Sequence, residues 1–202
     1  MSPEQVRERY EQVRAEVGPG VTVVVATKYV QVEDMQVLAD AGIEIAGENR
    51  LQDLEAKHAH YGDAFRWHFI GHLQSRKAKE VSALCELVHS LDSESAAQRL
   101  SVPALVQVNL AGEGSKSGVA EAELEAFLAR CPADVRGLST MPPLAADPEA
   151  SRPYFARLRA LAERFGLQEL SIGTSQDYRV AAEEGATYVR VGSVLFGGPN
   201  FR

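Results

Sequence analysis

VTVVVATKYVQVEDMQVLADAGIEIAG, residues 21–47, decides the fold. Val21–Thr27 is an unbroken apolar, β-branched run, as expected of a strand buried on both faces. VEDMQVLADAG (32–42) follows with helical spacing and closes on Gly42, a helix stop. IEIAG (43–47) is a second short apolar run. A strand, a single helix and a strand pair in parallel through a right-handed crossover.

The same unit repeats along the chain. Upstream, Ser2 reads as an N-cap, with Pro3 in the first helical position and Gln5 completing a capping box. Val6, Tyr10, Val13 and Val17 follow at helical spacing. Downstream, helix NRLQDLEAKHAHY precedes strand WHFIG, and helix QSRKAKEVSALC precedes strand LVHSLD. The short helix SESAAQRL leads to strand PALVQVNL, and EAELEAFLARC to VRGLSTM. PEASRPYFARLRALAERFG carries Phe155, Leu158, Leu161 and Phe165 inward, before strand ELSIGTS, helix YRVAAEEGA and strand YVRVGSVLFG. Eight strands, seven of them followed by a helix, predict a (β/α)8 TIM barrel over residues 1–202, a single domain with an extra N-terminal helix covering the last gap. An open doubly wound sheet is the alternative, but no GxGxxG follows the first strand.

Composition narrows the function. The 202 residues carry a formal net charge of −7, unsuited to nucleic acid or anionic membranes. Cys85 and Cys131 lack CxxC spacing and read as reduced thiols of a cytoplasmic protein. The charged N-terminal segment excludes a signal peptide there, and no apolar run reaches the roughly 18 residues of a membrane span.

Function in a barrel lies at the C-terminal ends of the strands. Those ends present Lys28, Asn49, His68 and His72, His89 to Asp92, Asn109, Ser139 to Met141, Thr174 and Ser175, then Arg190, Gly192 and Ser193. Lys28 ends an apolar strand, where partial desolvation would lower its pKa and leave a nucleophilic amine able to form a Schiff base. The position equally suits a lysine that snorkels to water. The last two loops, IGTSQD and RVGSVLFGG, suit a phosphate. Ser175 is expected to cap the helix beginning near Asp177, Gly192 allows close backbone approach, and Ser193 adds a hydroxyl. An ordinary N-cap and a strand bend explain Ser175 and Gly192 as well. Together with Lys28, both loops favour a small phosphorylated carbonyl compound, of which pyridoxal 5′-phosphate (PLP) is the obvious example. Arg190 suits its ring nitrogen, which an arginine keeps unprotonated; a salt bridge inside the barrel is the alternative. His68 and His72 span a strand end and a turn, which does not give helical metal-ligand spacing. The basic run Ser75–Lys79 reads as a solvated helix face, and EGSKSG (113–118) as a loop whose Lys116 overhangs the site or sits in water.

These motifs resemble the pyridoxal phosphate homeostasis proteins, PLP-binding proteins of the alanine racemase N-terminal-domain type. The resemblance runs almost end to end, through ATK at Lys28, GENRLQD, WHFIGHLQSRKAK, GSKSGV, RGLSTM, LSIGTSQD and VRVGSVLFG. It implies one barrel with PLP on Lys28 as a Schiff base and contacts from Asn49, Ser175, Arg190, Gly192 and Ser193. It implies a regulator of intracellular PLP and of amino-acid and keto-acid balance without established catalysis, with PLP-dependent apo-enzymes as candidate partners. Arg50 stands where the family commonly has an aromatic, Arg76 where it has asparagine, and Ser193 where it has threonine.

Two other functions compete. A racemase needs acid/base groups on both faces of the substrate α-carbon; in the racemases that the barrel resembles, a second β-domain helps complete that site. A cofactor-free Schiff-base aldolase on a sugar phosphate would use the same lysine and want an acid/base, for which Asp92 is the clear candidate. Tyr29 is next to Lys28 but expected on the opposite strand face.

Overall fold

The valine run at residues 22–26 is a strand that lies between two parallel neighbours, as its unbroken apolar character requires. A computed structural model of the chain describes residues 1–112 and 117–197. In order, the elements are α1 Pro3–Val17, β1 Thr22–Ala26, α2 Met35–Asp40, β2 Ile45–Glu48, α3 Leu51–Tyr61 and β3 Arg66–Phe69. Next come α4 Ala78–Leu84, β4 Leu87–Leu91, α5 Glu94–Ala97, β5 Ala104–Asn109, β6 Val119–Ala120 and α6 Leu124–Arg130. The last are β7 Val135–Ser139, α7 Arg152–Arg164, β8 Glu169–Thr174, α8 Tyr178–Glu183, β9 Tyr188–Val191 and α9 Ser193–Phe196.

All strand pairings are parallel, and the ring closes β1–β2–β3–β4–β5–β7–β8–β9 back to β1. The expected eight-stranded barrel is therefore present. The N-terminal helix α1 packs on α2, α8 and α9, covering the gap at the last strand. Its capping box forms: Ser2 Oγ accepts from Gln5 N at 3.3 Å and Gln5 Oε1 from Ser2 N at 3.1 Å. Val6, Tyr10, Val13 and Val17 are all buried.

Two layers of side chains fill the molecule. Val23 and Val25 point outward and join one core cluster with the inner helix faces, including Phe155 and Leu158 of α7. Burying each large side chain there stabilises the fold by about 2–3 kcal/mol. Val24 sits in register with Arg190 and faces the barrel interior. That interior is unusually polar, holding His68, His89, Ser171 and Arg190.

Several boundaries differ from the sequence reading. The eighth barrel strand ends at Val191, and SVLF turns into the four-residue helix α9 instead of extending the strand. Val119–Ala120, left unassigned between the loop 113–118 and the helix beginning at Glu121, forms a small strand on β5. Phe165 packs against the core as expected, but half-buried and as the C-cap of α7 instead of within the helix. Lys116 lies outside the described residues. Among the described residues, no helix is long and apolar enough to cross a membrane, and both cysteines are free thiols.

Candidate functional site

The strand ends converge on one cavity of about 350 Å³ at the C-terminal mouth of the barrel. Lys28, Asn49, Ser175, Arg190, Gly192 and Ser193, all singled out in the sequence, line it together.

Lys28 does not belong to β1. The strand stops at Ala26, and the chain turns, with Val30 N–H donating to Thr27 O at 2.8 Å. The expectation of a desolvated lysine is therefore corrected: two residues past the strand end, Lys28 is exposed. Its Nζ sits 4.8 Å from the centre of the Tyr29 ring. Strand alternation lapses in a turn, so Tyr29 lines the same cavity instead of facing the other way.

The turn rests on a buried ion pair that sequence reasoning missed. Lys57 on α3 is 3% exposed and Glu48 at the end of β2 is fully buried. Lys57 Nζ bonds Glu48 Oε1 and donates to Thr27 O at 2.8 Å. Glu48 Oε2 accepts from Asn49 N at 3.1 Å. The pair thus ties the backbone before Lys28 to the backbone of Asn49. A signal existed: Leu51, Leu54 and Lys57 share the buried face of α3 at a spacing of three. Asn49 carries a further mark. Its Oδ1 is buried and has no hydrogen-bond partner among the described residues. Gly71 lets the next strand end cross that point, since a Cβ there would lie 2.0 Å from Asn49 O.

On the opposite wall, Ser175 was expected to cap the helix starting near Asp177. It does not: α8 has Asp177 at its N-cap with no side-chain capping bond. Ser175 Oγ instead accepts from Gly192 N at 2.9 Å and Val194 N at 3.3 Å, joining the two final loops at the start of α9. Asp177 holds the Ser175 turn, accepting from Thr174 N at 2.6 Å and Ser151 Oγ at 2.7 Å. Gly173 makes the entry to that turn possible, with a φ of 86° and Ala181 Cβ only 2.5 Å from where its own Cβ would lie. A Cβ on Gly192 would press to 3.2 Å from Ala26 O. Phe196 also lines the cavity; reading SVLF as strand hid it.

Arg190 forms the floor. Its Nη1 donates to Ser171 O at 2.8 Å and to Ser171 Oγ, and its Nη2 to Thr140 O at 3.1 Å and Met141 Sδ at 3.0 Å. None of these acceptors is a carboxylate, so the salt-bridge alternative does not describe it. Burial lowers its pKa to about 10, with Asp177 opposing.

Of the other strand-end polar residues, Thr174 also lines the cavity, while the histidines and Asp92 lie elsewhere. His68 and His89 lie inside the barrel, whereas His72 is exposed and meets Asp92 at 3.4 Å. Asp92, whose pKa burial raises, faces a different groove from the Lys28 cavity. Arg76 and Lys77 of the basic run are solvated near α3, Lys77 reaching Gln52 at 3.4 Å.

Comparison with known proteins gives the family and the fold. Residues 1–200 match the family model of the alanine racemase N-terminal domain. The pyridoxal phosphate homeostasis protein of Aquifex aeolicus is 38% identical over 192 residues, covering 85% of this chain and 84% of the relative. That of Pseudomonas aeruginosa is 41% identical over 177 residues, covering 80% and 77%. The structure of PipY from Synechococcus elongatus, with PLP bound, superposes with a TM-score of 0.86 at 32% identity, covering 95% of this chain and 100% of PipY. Alanine racemase of Corynebacterium glutamicum shares the fold at 17% identity, with a TM-score of 0.74, and this chain covers 62% of it.

Proposed function

Because the chain belongs to the pyridoxal phosphate homeostasis protein family, we propose that it binds PLP in the Lys28 cavity and acts in PLP homeostasis. The observation that carries this reading is the composition of one cavity: a lysine on one wall, hydroxyl and glycine loops opposite, and an arginine beneath.

The residues fit the cofactor. PLP supplies a reactive aldehyde on an electron-withdrawing ring, anchored by a phosphate. Lys28 is the amine for the aldehyde: a C=N bond replaces C=O and water leaves. The loops of Ser175, Gly192 and Ser193 are the phosphate wall. With its Nη hydrogens committed to Ser171, Thr140 and Met141, Arg190 would offer its Nε–H to the ring nitrogen and keep it unprotonated. The unpartnered Oδ1 of Asn49 marks a polar group whose hydrogen bond a ligand would complete.

One barrel unit over residues 1–202 is enough for this role, and the role is holding PLP without turnover. Among the described residues lining the cavity, the titratable side chains are Lys28, Tyr29 and Arg190. Lys28 and Tyr29 are consecutive on one turn, so they serve one side of the site. Racemisation requires proton transfer on both faces. A Schiff-base aldolase would need Asp92 in the cavity, and it is not among the residues that line it. PLP-dependent apo-enzymes are the recipients this reading names, and the cytoplasm its setting.

Lys28→Ala tests the assignment. Titration with PLP is expected to give no Schiff-base absorption, with unfolding within about 0.5 kcal/mol of wild type because the side chain is exposed. Covalent PLP persisting in the variant would overturn the assignment.

A further inference from the structure

Arg190 is a buried cation whose bonded acceptors are neutral, an arrangement that needs compensation from elsewhere. A chain of hydrogen bonds leads from it through the barrel. Ser171 Oγ, which accepts from Arg190, meets His89 Nδ1 at 2.7 Å. His89 Nε2 meets His68 Nδ1 at 2.9 Å, and His68 Nε2 meets Glu86 Oε1 at 2.9 Å. Glu86 precedes β4 at the opposite, N-terminal end of the barrel and is partly exposed beside Arg66, 2.7 Å away.

We infer that Ser171, His89, His68 and Glu86 form a one-directional hydrogen-bond relay that positions Arg190 for the ligand from the far end of the barrel. The direction is forced by counting protons. Glu86 is an ionised acceptor: burial raises its pKa, but the bonds from Arg66 and His68 outweigh that and leave it lowered. His68 Nε2 must therefore carry a hydrogen. Burial lowers the His68 pKa, against the pull of Glu86, and keeps the ring neutral, so its Nδ1 accepts. His89 Nε2 must then donate. Burial, helped by the Arg190 charge, holds His89 well below the usual range, so its Nδ1 accepts as well. The single Ser171 hydroxyl hydrogen goes to that nitrogen, leaving its lone pairs for Arg190. Every donor is used once, and the bond dipoles run head to tail from cation to anion. Tyr188 flanks both imidazoles edge-on, with ring centres 5.9 and 5.2 Å away. The charged groups facing the relay are Arg66 and Glu86 at one end, and Arg190 and Asp177 at the other.

The positioning role rests on the reading that Arg190 faces the cofactor, so the first test is made without cofactor. Nitrogen-15 NMR of the full chain is expected to show His68 and His89 both neutral and both protonated at Nε2 at pH 7, with Arg190 Nη–H protons slow to exchange. Ser171→Ala should leave the tautomers readable and speed the exchange of the Arg190 Nη1 proton that Ser171 Oγ accepts. An Nδ1-protonated or charged imidazole in the wild-type protein, or Arg190 protons unchanged in Ser171→Ala, would overturn the relay. PLP titration is the second arm. Ser171→Ala and His89→Phe are expected to weaken binding about tenfold, the worth of one hydrogen bond to a charged group, and to move the pH midpoint of the Schiff-base absorption. Ser171→Thr should restore both, and Ile172→Val, a neighbouring core change, should alter neither. Folded relay variants with wild-type affinity and midpoint would also overturn the role. A wild-type protein that takes up no PLP would defeat the functional reading, while the nitrogen spectra still decide the relay.

Discussion

At the scale of single residues, the site depends on side chains whose surroundings do not satisfy them. Asn49 is half-buried with an unpartnered Oδ1. Replacing it by leucine breaks no side-chain hydrogen bond through that oxygen and removes the desolvation penalty. Asn49→Leu should thus keep or slightly raise the urea midpoint while weakening PLP binding about tenfold; unchanged affinity in a calorimetric titration would refute the role given to that atom. The candidate residues were legible because polar groups at the ends of apolar strands are conspicuous. Their environments were less so. Lys28 was expected to be desolvated because ATK reads as a continuing strand; the turn at Thr27 exposes it. Ser175 was expected to cap the helix that follows it; its hydroxyl instead accepts from Gly192 N and Val194 N at the start of α9, on a loop brought in by the β8–β9 pairing.

At the scale of elements, the pair Glu48–Lys57 joins β2, α3 and the turn after β1. Removing one member leaves a buried charge alone. Lys57→Met is expected to cost about 3–5 kcal/mol, a fall in Tm of roughly 6–20 °C for a chain of this size. Scanning calorimetry checks this, and a Tm within 2 °C of wild type would show that the pair holds nothing together. Phe155 on α7 is fully buried between helix and sheet. Phe155→Ala should lower stability by about 3–5 kcal/mol in urea unfolding without altering PLP affinity. Long elements such as α1 and α7 were legible from apolar spacing. The two-residue β6 and four-residue α9 were not, because neither is long enough to show a period. SVLF is too short and mixed to declare itself, and it turns helical where Ser175 Oγ accepts from Val194 N.

At the scale of the whole molecule, eight strands must close, and α1 bridges the closure. Glu16 near its end receives hydrogen bonds from Arg179 at 3.0 and 2.8 Å and from Tyr178, both on α8. The Arg179 bond, opposed by partial burial and helped by Tyr178, lowers the Glu16 pKa to about 2. A carboxyl depressed in the folded state stabilises it fully above its unfolded value, near 4.5, and loses that contribution as pH falls towards 2. Wild type should therefore exceed Glu16→Gln in urea midpoint at pH 6, and the gap should close between pH 4.5 and 2. A gap constant over that range would assign the difference to packing. The barrel itself was legible from the alternation of strands and helices, since parallel pairing through helices leaves few topologies. The interior relay was not: Glu86, His68, His89, Ser171 and Arg190 come from four separate stretches of the chain, at β3, β4, β8 and β9, and meet only through register across the closed sheet.

The central claim, that PLP is held on Lys28, is tested most directly by borohydride reduction of the PLP-loaded protein followed by peptide mapping. The account predicts a yellow protein whose visible band disappears on reduction and a stable phosphopyridoxyl adduct on Lys28. An adduct confined to another lysine, or a protein that stays colourless with excess PLP, would contradict it.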